Sequence, residues 1–181
     1  PTLLVTPVTC TYGTLELANT AAYNLGLTLL INQDYTLTAN TTLTAHVIVV
    51  NGGKFTKDST YTLTINGPFE AGLYEVFSGF DAGDVTFAAG VVKEVYPEWW
   101  GENTIPGTTD MATELQSAID SIPVGGGKIL ISGTFGIGSV AWVGIDLTSI
   151  DDIIFEGNGV GGFKTLVAPS QLLKAAPVSI L

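Results

Sequence analysis

Short runs that alternate apolar and polar side chains return along this chain at a nearly constant step. In "YTLTANTTLTAHVIVVNGG", Leu37 and Ala39 alternate with threonine, as do Leu43 and Ala45. In "STYTLTINGP", Tyr61, Leu63 and Ile65 share one face and Thr60, Thr62 and Thr64 the other, and "GDVTFAAG" repeats the theme with Val85 and Phe87. A period of two is the mark of a half-buried strand. Leu43 to Leu63 is 20 residues and Leu63 to Val85 is 22; later, Ile131 to Ile153 is 22 and Phe135 to Phe155 is 20. Asn-Gly ends several of the runs, at Asn51-Gly52, Asn66-Gly67 and Asn158-Gly159. That dipeptide tolerates positive φ and so marks a sharp corner. Strands of this length, repeating every coil with turn residues at the corners, predict a β-solenoid in which inward side chains stack in ladders. A hairpin-built sandwich also spaces strands closely and stands as the alternative.

The rest of the chain is less uniform. Residues 1–35 read as an N-terminal β segment, with "TLLVTPVT" and "GLTLLINQDYTLT" strand-like and room for a short helix in "TLELANTAAYNLGL". "TTDMATELQSAIDSIP" predicts a helix from about Asp110 to Ile122. Met111, Leu115, Ala118 and Ile122 form one apolar stripe, Thr109 or Asp110 is placed to cap its start, and Pro123 stops it. The stripe suits one apolar surface, such as the open end or flank of a solenoid. The domain reading is a β segment over 1–35, a β-rich stretch over 36–101, and the helix with further rungs over 102–181.

Composition narrows the function classes. Six basic against 17 acidic residues give a net charge of −11, which offers little to a phosphate backbone, so no nucleic-acid partner is expected. No apolar run approaches the roughly 18 residues of a membrane helix, and no membrane span is expected. Hydrophobic residues make up 46% of the chain and charged ones only 13%. That balance points to apolar faces buried in an assembly or against a longer parent chain. The N-terminus shows no basic stretch followed by an apolar run, so no signal peptide is read there.

Candidate chemistry is sparse. Cys10 is the only cysteine and reads as a small apolar filler. His46 is the only histidine, lies in an apolar run, and reads as structural rather than catalytic. One His and one Cys do not make a zinc site. "GVGGFKT" lacks the Gly-Lys-Ser/Thr of a P-loop because Phe163 separates Gly162 from Lys164. Asp151 and Asp152, and Asp81 with Asp84, are placed to touch Ca²⁺ at turns, but solvated turn carboxylates are the expectation. No cofactor, no metal and no catalytic residue are therefore expected. "YPEWWGE" is the remaining feature. Tyr96, Trp99 and Trp100 are candidates to stack on a carbohydrate or anchor a partner. The alternative is a buried seam between the β segment and the helix. Adjacent residues of an extended segment point to opposite sides, so one Trp buried and one exposed is the expectation.

The run "YPEWWG", the helix "TDMATELQSAIDSIP", "GGGKILISGTFGI" and "LTSIDDIIFEGNGVGGFKTLVAP" together resemble the entry segment of the pectate-lyase-like right-handed parallel β-helix proteins. These include polysaccharide lyases, polygalacturonases and bacteriophage tailspikes. Pro97, Glu98, Trp99 and Gly101 match the junction, Thr109 and Asp110 the helix entry, Gly125 to Gly127 the turn, and Gly133 to Phe135 the corner. Gly157 and Gly159 match the late turn. The resemblance covers about residues 60–170 and leaves 1–35 aside. "GENTIPGTTD" departs from the family's acid-rich stretch, which puts any ion-binding role there in doubt. The resemblance implies an all-β fold: an N-terminal β segment, a capping α-helix, and the first rungs of a right-handed parallel β-helix. The family's catalytic rungs would lie beyond Leu181, so this chain alone is expected not to be an enzyme, whereas a parent could be a polysaccharide lyase or hydrolase. The favoured function is the attachment portion of a tailspike-like or tail-associated virion protein. It is expected to be a homotrimer with other virion proteins and cell-surface polysaccharide as partners, located in the virion or outside the cell. The alternatives are the non-catalytic start of a secreted polysaccharide lyase or glycoside hydrolase, and a surface adhesin or filament subunit.

Overall fold

The structure is a computed structural model that describes residues 12–138, 145–147, 152–157, 162–165 and 173–174. Cys10, Asp151 and the Asn158-Gly159 corner lie outside the described residues. The period-two runs form strands, and among the described residues every strand pairing is parallel. Strands β1 (Thr28–Ile31), β2 (Asp34–Leu37) and β3 (Thr41–Leu43) make the first coil. Strands β4 (His46–Val49), β5 (Lys54–Lys57) and β6 (Leu63–Ile65) make the second, and β7 (Phe69–Glu70), β8 (Phe77–Ser78) and β9 (Val85–Phe87) the third. They stack as three sheets, β1-β4-β7, β2-β5-β8 and β3-β6-β9. The molecule is thus a parallel β-solenoid, as the recurring step predicted.

Register puts like on like. Leu29, Val47 and Phe69 form one inward ladder, Thr41, Leu63 and Val85 a second, and Leu43, Ile65 and Phe87 a third. On the middle sheet Tyr35, Phe55 and Phe77 align. The ladders are buried except at the half-buried Tyr35, and the third coil contributes Phe69, Phe77 and Phe87. On the outer face Thr42, Thr64 and Thr86 align, and the Thr86 hydroxyl donates to Thr64 Oγ1 at 3.4 Å.

The true step differs from the apparent one. Leu43 pairs with Ile65 and Thr41 with Leu63, so the step here is 22 residues rather than 20. Farther on, β10 (Gly127–Ile131), β11 (Thr134–Ile137) and β12 (Ile145–Asp146) lie under β13 (Ile153–Gly157), β14 (Gly162–Thr165) and β15 (Leu173–Lys174). Ile131 faces Gly157, not Ile153, and Phe135 faces Phe163, not Phe155. The coil is 26 residues at Gly127–Ile153 and 28 at Thr134–Gly162, because longer corners separate the strands. Corner length leaves no period-two trace, so similar side chains were matched one corner too early.

Helices occupy two places. Residues 15–25, within the segment read as β, form helix α1 (Leu15–Leu25), capped by the Thr14 hydroxyl and stopped by Gly26 at φ 63°. The solenoid therefore begins at Thr28, inside the 1–35 segment. The helix buries Leu15, Ala18, Asn19 and Ala22 against the first coil. Asn19 is 5% exposed and fully used. Its Oδ1 accepts the N–H groups of Thr44 and Ala45 at 2.9 and 3.0 Å, and its Nδ2 donates to the Thr42 carbonyl at 3.3 Å. This amide satisfies the backbone of the corner between β3 and β4, which has no described coil beneath it.

Helix α2 (Ala112–Asp120) is shorter than expected, but Met111, Leu115, Ala118 and Ile122 are all buried. It does not close an end. It belongs to the fourth turn of the stack, residues 91–122. Phe69, Val76 and Phe87 of the third coil donate to Val91, Trp99 and Ser121, at 2.8, 2.8 and 2.9 Å. The next coil joins through Val95 N–H to Lys128 and Met111 N–H to Gly136, at 2.8 and 2.9 Å. A helix cannot offer a strand edge to β12, because its peptide groups bond to one another. Gln116 substitutes for it: its Oε1 accepts Asp146 N–H at 2.7 Å and its Nε2 donates to the Asp146 carbonyl at 3.1 Å. Asp110 supports the helix start, its Oδ1 accepting from Ala112 N–H at 3.2 Å.

The Asn-Gly corners act in two ways. Gly52 has φ 92°, as expected of a sharp corner. Gly67 does not have positive φ; it is required because a Cβ there would overlap the Ala45 carbonyl of the coil below. Gly67→Ala is expected to cost about 2 kcal/mol through forced backbone displacement. Gly52→Ala has open space around it, and its cost, about 1–2 kcal/mol, comes from the positive φ alone. Urea unfolding of Gly67→Ala checks the stacking argument; a loss under about 0.5 kcal/mol would contradict it.

Candidate functional site

The segment Tyr96–Glu102 sits where the third coil meets the fourth. Pro97 opens a single 3₁₀ turn, Pro97–Trp99, in which Trp99 N–H donates to Tyr96 and Trp100 N–H to Pro97, each at 3.0 Å. Proline's fixed φ suits the first position of such a turn. In a 3₁₀ turn successive side chains are about 120° apart rather than opposed. The expected split of one buried and one exposed Trp therefore does not occur: Trp99 is 1% and Trp100 7% exposed.

Trp99 closes the cross-section of the solenoid. Its ring centroid lies 5.4 Å from Phe69, 6.3 Å from Phe77 and 6.0 Å from Phe87, one phenylalanine from each of the three sheets. Its Nε1 donates to the Gly72 carbonyl at 2.9 Å. Trp100 packs on Phe77 at 4.9 Å. At Gly101 a Cβ would press on the Glu114 side chain of α2, 3.0 Å from Oε1, so the glycine lets α2 pack close to the turn. These observations place the two indoles inside the core and leave Tyr96 as the half-exposed aromatic of the three.

Two clefts flank this turn. The first, about 430 Å³, is lined by Glu70, Val92, Lys93, Glu94, Tyr96 and Trp99. Tyr96 leans on Trp99 at 5.4 Å and donates its hydroxyl to Glu94, whose carboxylate also pairs with Lys128 at 2.8 Å. The hydrogen bonds from Lys128 and Tyr96 hold the Glu94 carboxyl below its usual range. Burial, and then the bond to Glu94, push the Tyr96 phenol up to about 12. The neutral phenol is thus favoured by folding. That contribution is fully present below the ordinary tyrosine value near 10 and is lost as pH rises through about 12. The difference between the ultraviolet titrations of wild type and Tyr96→Phe should show one phenol ionising near 12; a difference curve centred near 10 would contradict the geometry.

The second cleft, about 320 Å³, is lined by Leu73, Tyr74, Glu98, Glu102, Asn103 and Ser132, among others. Glu98 is 6% exposed. Its Oε1 accepts the Ser132 hydroxyl, and its Oε2 is buried and bonded to no other described residue. Burial pushes its carboxyl up, against the opposing pull of Ser132 and its own backbone N–H. Asn103 donates Nδ2 to the Thr134 carbonyl at 3.1 Å, while its Oδ1 is buried with no partner. Sequence reading singled out Glu98 only as part of the junction motif and passed over Asn103 and Ser132. Nothing in the local sequence marks those two, because residues 98, 103 and 132 meet only through coil stacking.

The remaining sequence candidates have structural partners. His46 on β4 lies between Thr28 Oγ1 at 3.2 Å and Glu70 Oε1 at 3.1 Å. Asp84 pairs with Lys57 and accepts Asp81 N–H at 2.7 Å. Among the described residues no three His, Cys, Asp or Glu side chains group as metal ligands, and no helix is long and apolar enough to cross a membrane. Comparison with protein-family models, curated proteins and solved structures gives no match for this chain.

Proposed function

We propose that this chain is a structural and attachment portion of a tailspike-like or tail-associated virion protein, assembling as a homotrimer and non-catalytic by itself. The observation that carries the reading is the pairing of a rod built for rigidity with an apolar end. Parallel coils stack through buried ladders, and α1 at the first coil turns Leu17, Tyr23 and Leu25 outward at 57%, 61% and 63% exposure. Large apolar side chains gathered at one end of a rod are costly in a free monomer and suit a contact with another subunit. The low charged fraction, 13% of residues, supports the same reading. Polysaccharide, where it is bound, would lie along the flank.

Sedimentation equilibrium over micromolar concentrations tests it. A trimer that dissociates when Leu17 and Leu25 are both changed to Ser is the expected result. A soluble, stable monomer at all concentrations would overturn the assembly reading, and cleavage of a polysaccharide by these 181 residues would overturn the non-catalytic one.

A further inference from the structure

We propose that the cleft beside the junction binds an organic cation, an ammonium or guanidinium head carried on an aliphatic stem. The argument starts from an accounting of polar groups. A buried oxygen without a hydrogen-bond partner costs about 1–3 kcal/mol, and native folds hold few of them. This cleft holds two, Glu98 Oε2 and Asn103 Oδ1. Both are on residues whose other polar atom is already committed, to Ser132 and to Thr134. That commitment fixes the orientation of each group and leaves its second oxygen buried at the cleft wall as an unpaired acceptor. Glu102 adds an exposed carboxylate to the lining.

A site whose open groups accept requires a ligand whose groups donate. An ammonium brings three donors and a guanidinium five, with no acceptor to clash with a carboxylate. No lysine lines the cleft. Lys54, which feels the charge of Glu102, is held by Glu75 at 3.1 Å. Lys57 and Lys128 are likewise paired with acids, and Lys93 lines the other cleft. Among the described side chains no cation of this chain reaches the cleft, which points to one brought by another molecule. The walls suit a stem: Leu73, Pro106 and the Tyr74 ring are apolar, and Tyr74 is fixed by its hydroxyl donating to the Val49 carbonyl at 2.6 Å. An aromatic face beside a carboxylate is favourable for a cationic head. A metal ion is the weaker fit, since the described residues gather no three-ligand cluster.

The test is a titration of the ¹⁵N-labelled chain with butylguanidinium, with uncharged butylurea as the matched control. The charged probe should give saturating shifts at the Asn103 side-chain amide and the Gly133 backbone amide, with Kd in the millimolar range expected of a fragment, about −4 kcal/mol. Glu98→Gln should weaken binding about tenfold and Glu102→Gln a few-fold. Absence of a response in wild type up to about 100 mM, or an equal response to butylurea, overturns the proposal whether or not the variants fold. A methylamide of acetyl-arginine and the diamine putrescine separate the sources: tighter binding of the first marks a protein side chain, of the second a free amine. Trimer formation is read separately by sedimentation, so failure of one result leaves the other standing.

Discussion

Replacing Trp99 with alanine is expected to lower the unfolding free energy by about 3–5 kcal/mol, the range for a large aromatic removed from a packed core. The physical reason is its position rather than its size alone. Its ring meets Phe69, Phe77 and Phe87, so one side chain joins the inner faces of three sheets. These sheets share no hydrogen bonds with one another and are held together by corners and core. Removing the indole leaves a cavity that stacked, hydrogen-bonded coils collapse into poorly, and it also strips the Gly72 carbonyl of its donor. Trp99→Phe should recover part of the loss but not the hydrogen bond. Urea denaturation monitored by far-ultraviolet circular dichroism measures both; a loss under about 1 kcal/mol for Trp99→Ala would mean that the plug is not structural.

Asn19→Ala should cost on the order of 2–3 kcal/mol. Two N–H groups, of Thr44 and Ala45, and the Thr42 carbonyl lose their partner together; the Ala45 N–H is buried and carries most of the loss, while the other two are partly reached by water. The cost follows from the end of the rod. Within the stack, each coil satisfies the next; at the corner between β3 and β4 no described coil lies beneath, and one helix-borne amide takes that place. Asn19→Asp separates the two functions of the side chain. It keeps the acceptor for the N–H groups but loses the donor to Thr42, so it should retain part of the stability. Hydrogen exchange at Ala45 gives a local readout, and unchanged protection there in Asn19→Ala would contradict the capping role.

Much of the architecture was legible because β-structure writes itself in period two. Leu63 and Val85 were matched correctly, and they are direct neighbours across β6 and β9. The apolar stripe of α2 was read correctly too, since helical periodicity is also local. Register after residue 127 was misread because it depends on corner length, and corners carry no alternation. Ile153 was set beside Ile131, whereas it lies beside Gly127, with a glycine rather than a ladder partner opposite. Whether α2 covers an open end or a flank was left undecided by the sequence for a related reason. Sequence shows which face of a helix is apolar, not that a glutamine on another face will pair with Asp146 and hold the helix inside the stack.

The junction shows the same division. Its aromatic content, its proline and its glycine were visible at once as a point where the chain turns. The backbone conformation was not, and it decides everything that follows. An extended segment would have sent one indole outward; a 3₁₀ turn sends both in, leaving Tyr96 half exposed. Sequence by itself determined that this chain forms short strands with one apolar face, bent at glycine corners and interrupted by an amphipathic helix, because those are properties of residues a few positions apart. Tertiary structure alone decided which coil lies on which, that Trp99 closes the core, and that Glu98, Asn103 and Ser132 share a cleft. Those residues are up to 34 positions apart. Only the summed lengths of the intervening corners, which no local pattern encodes, bring them together.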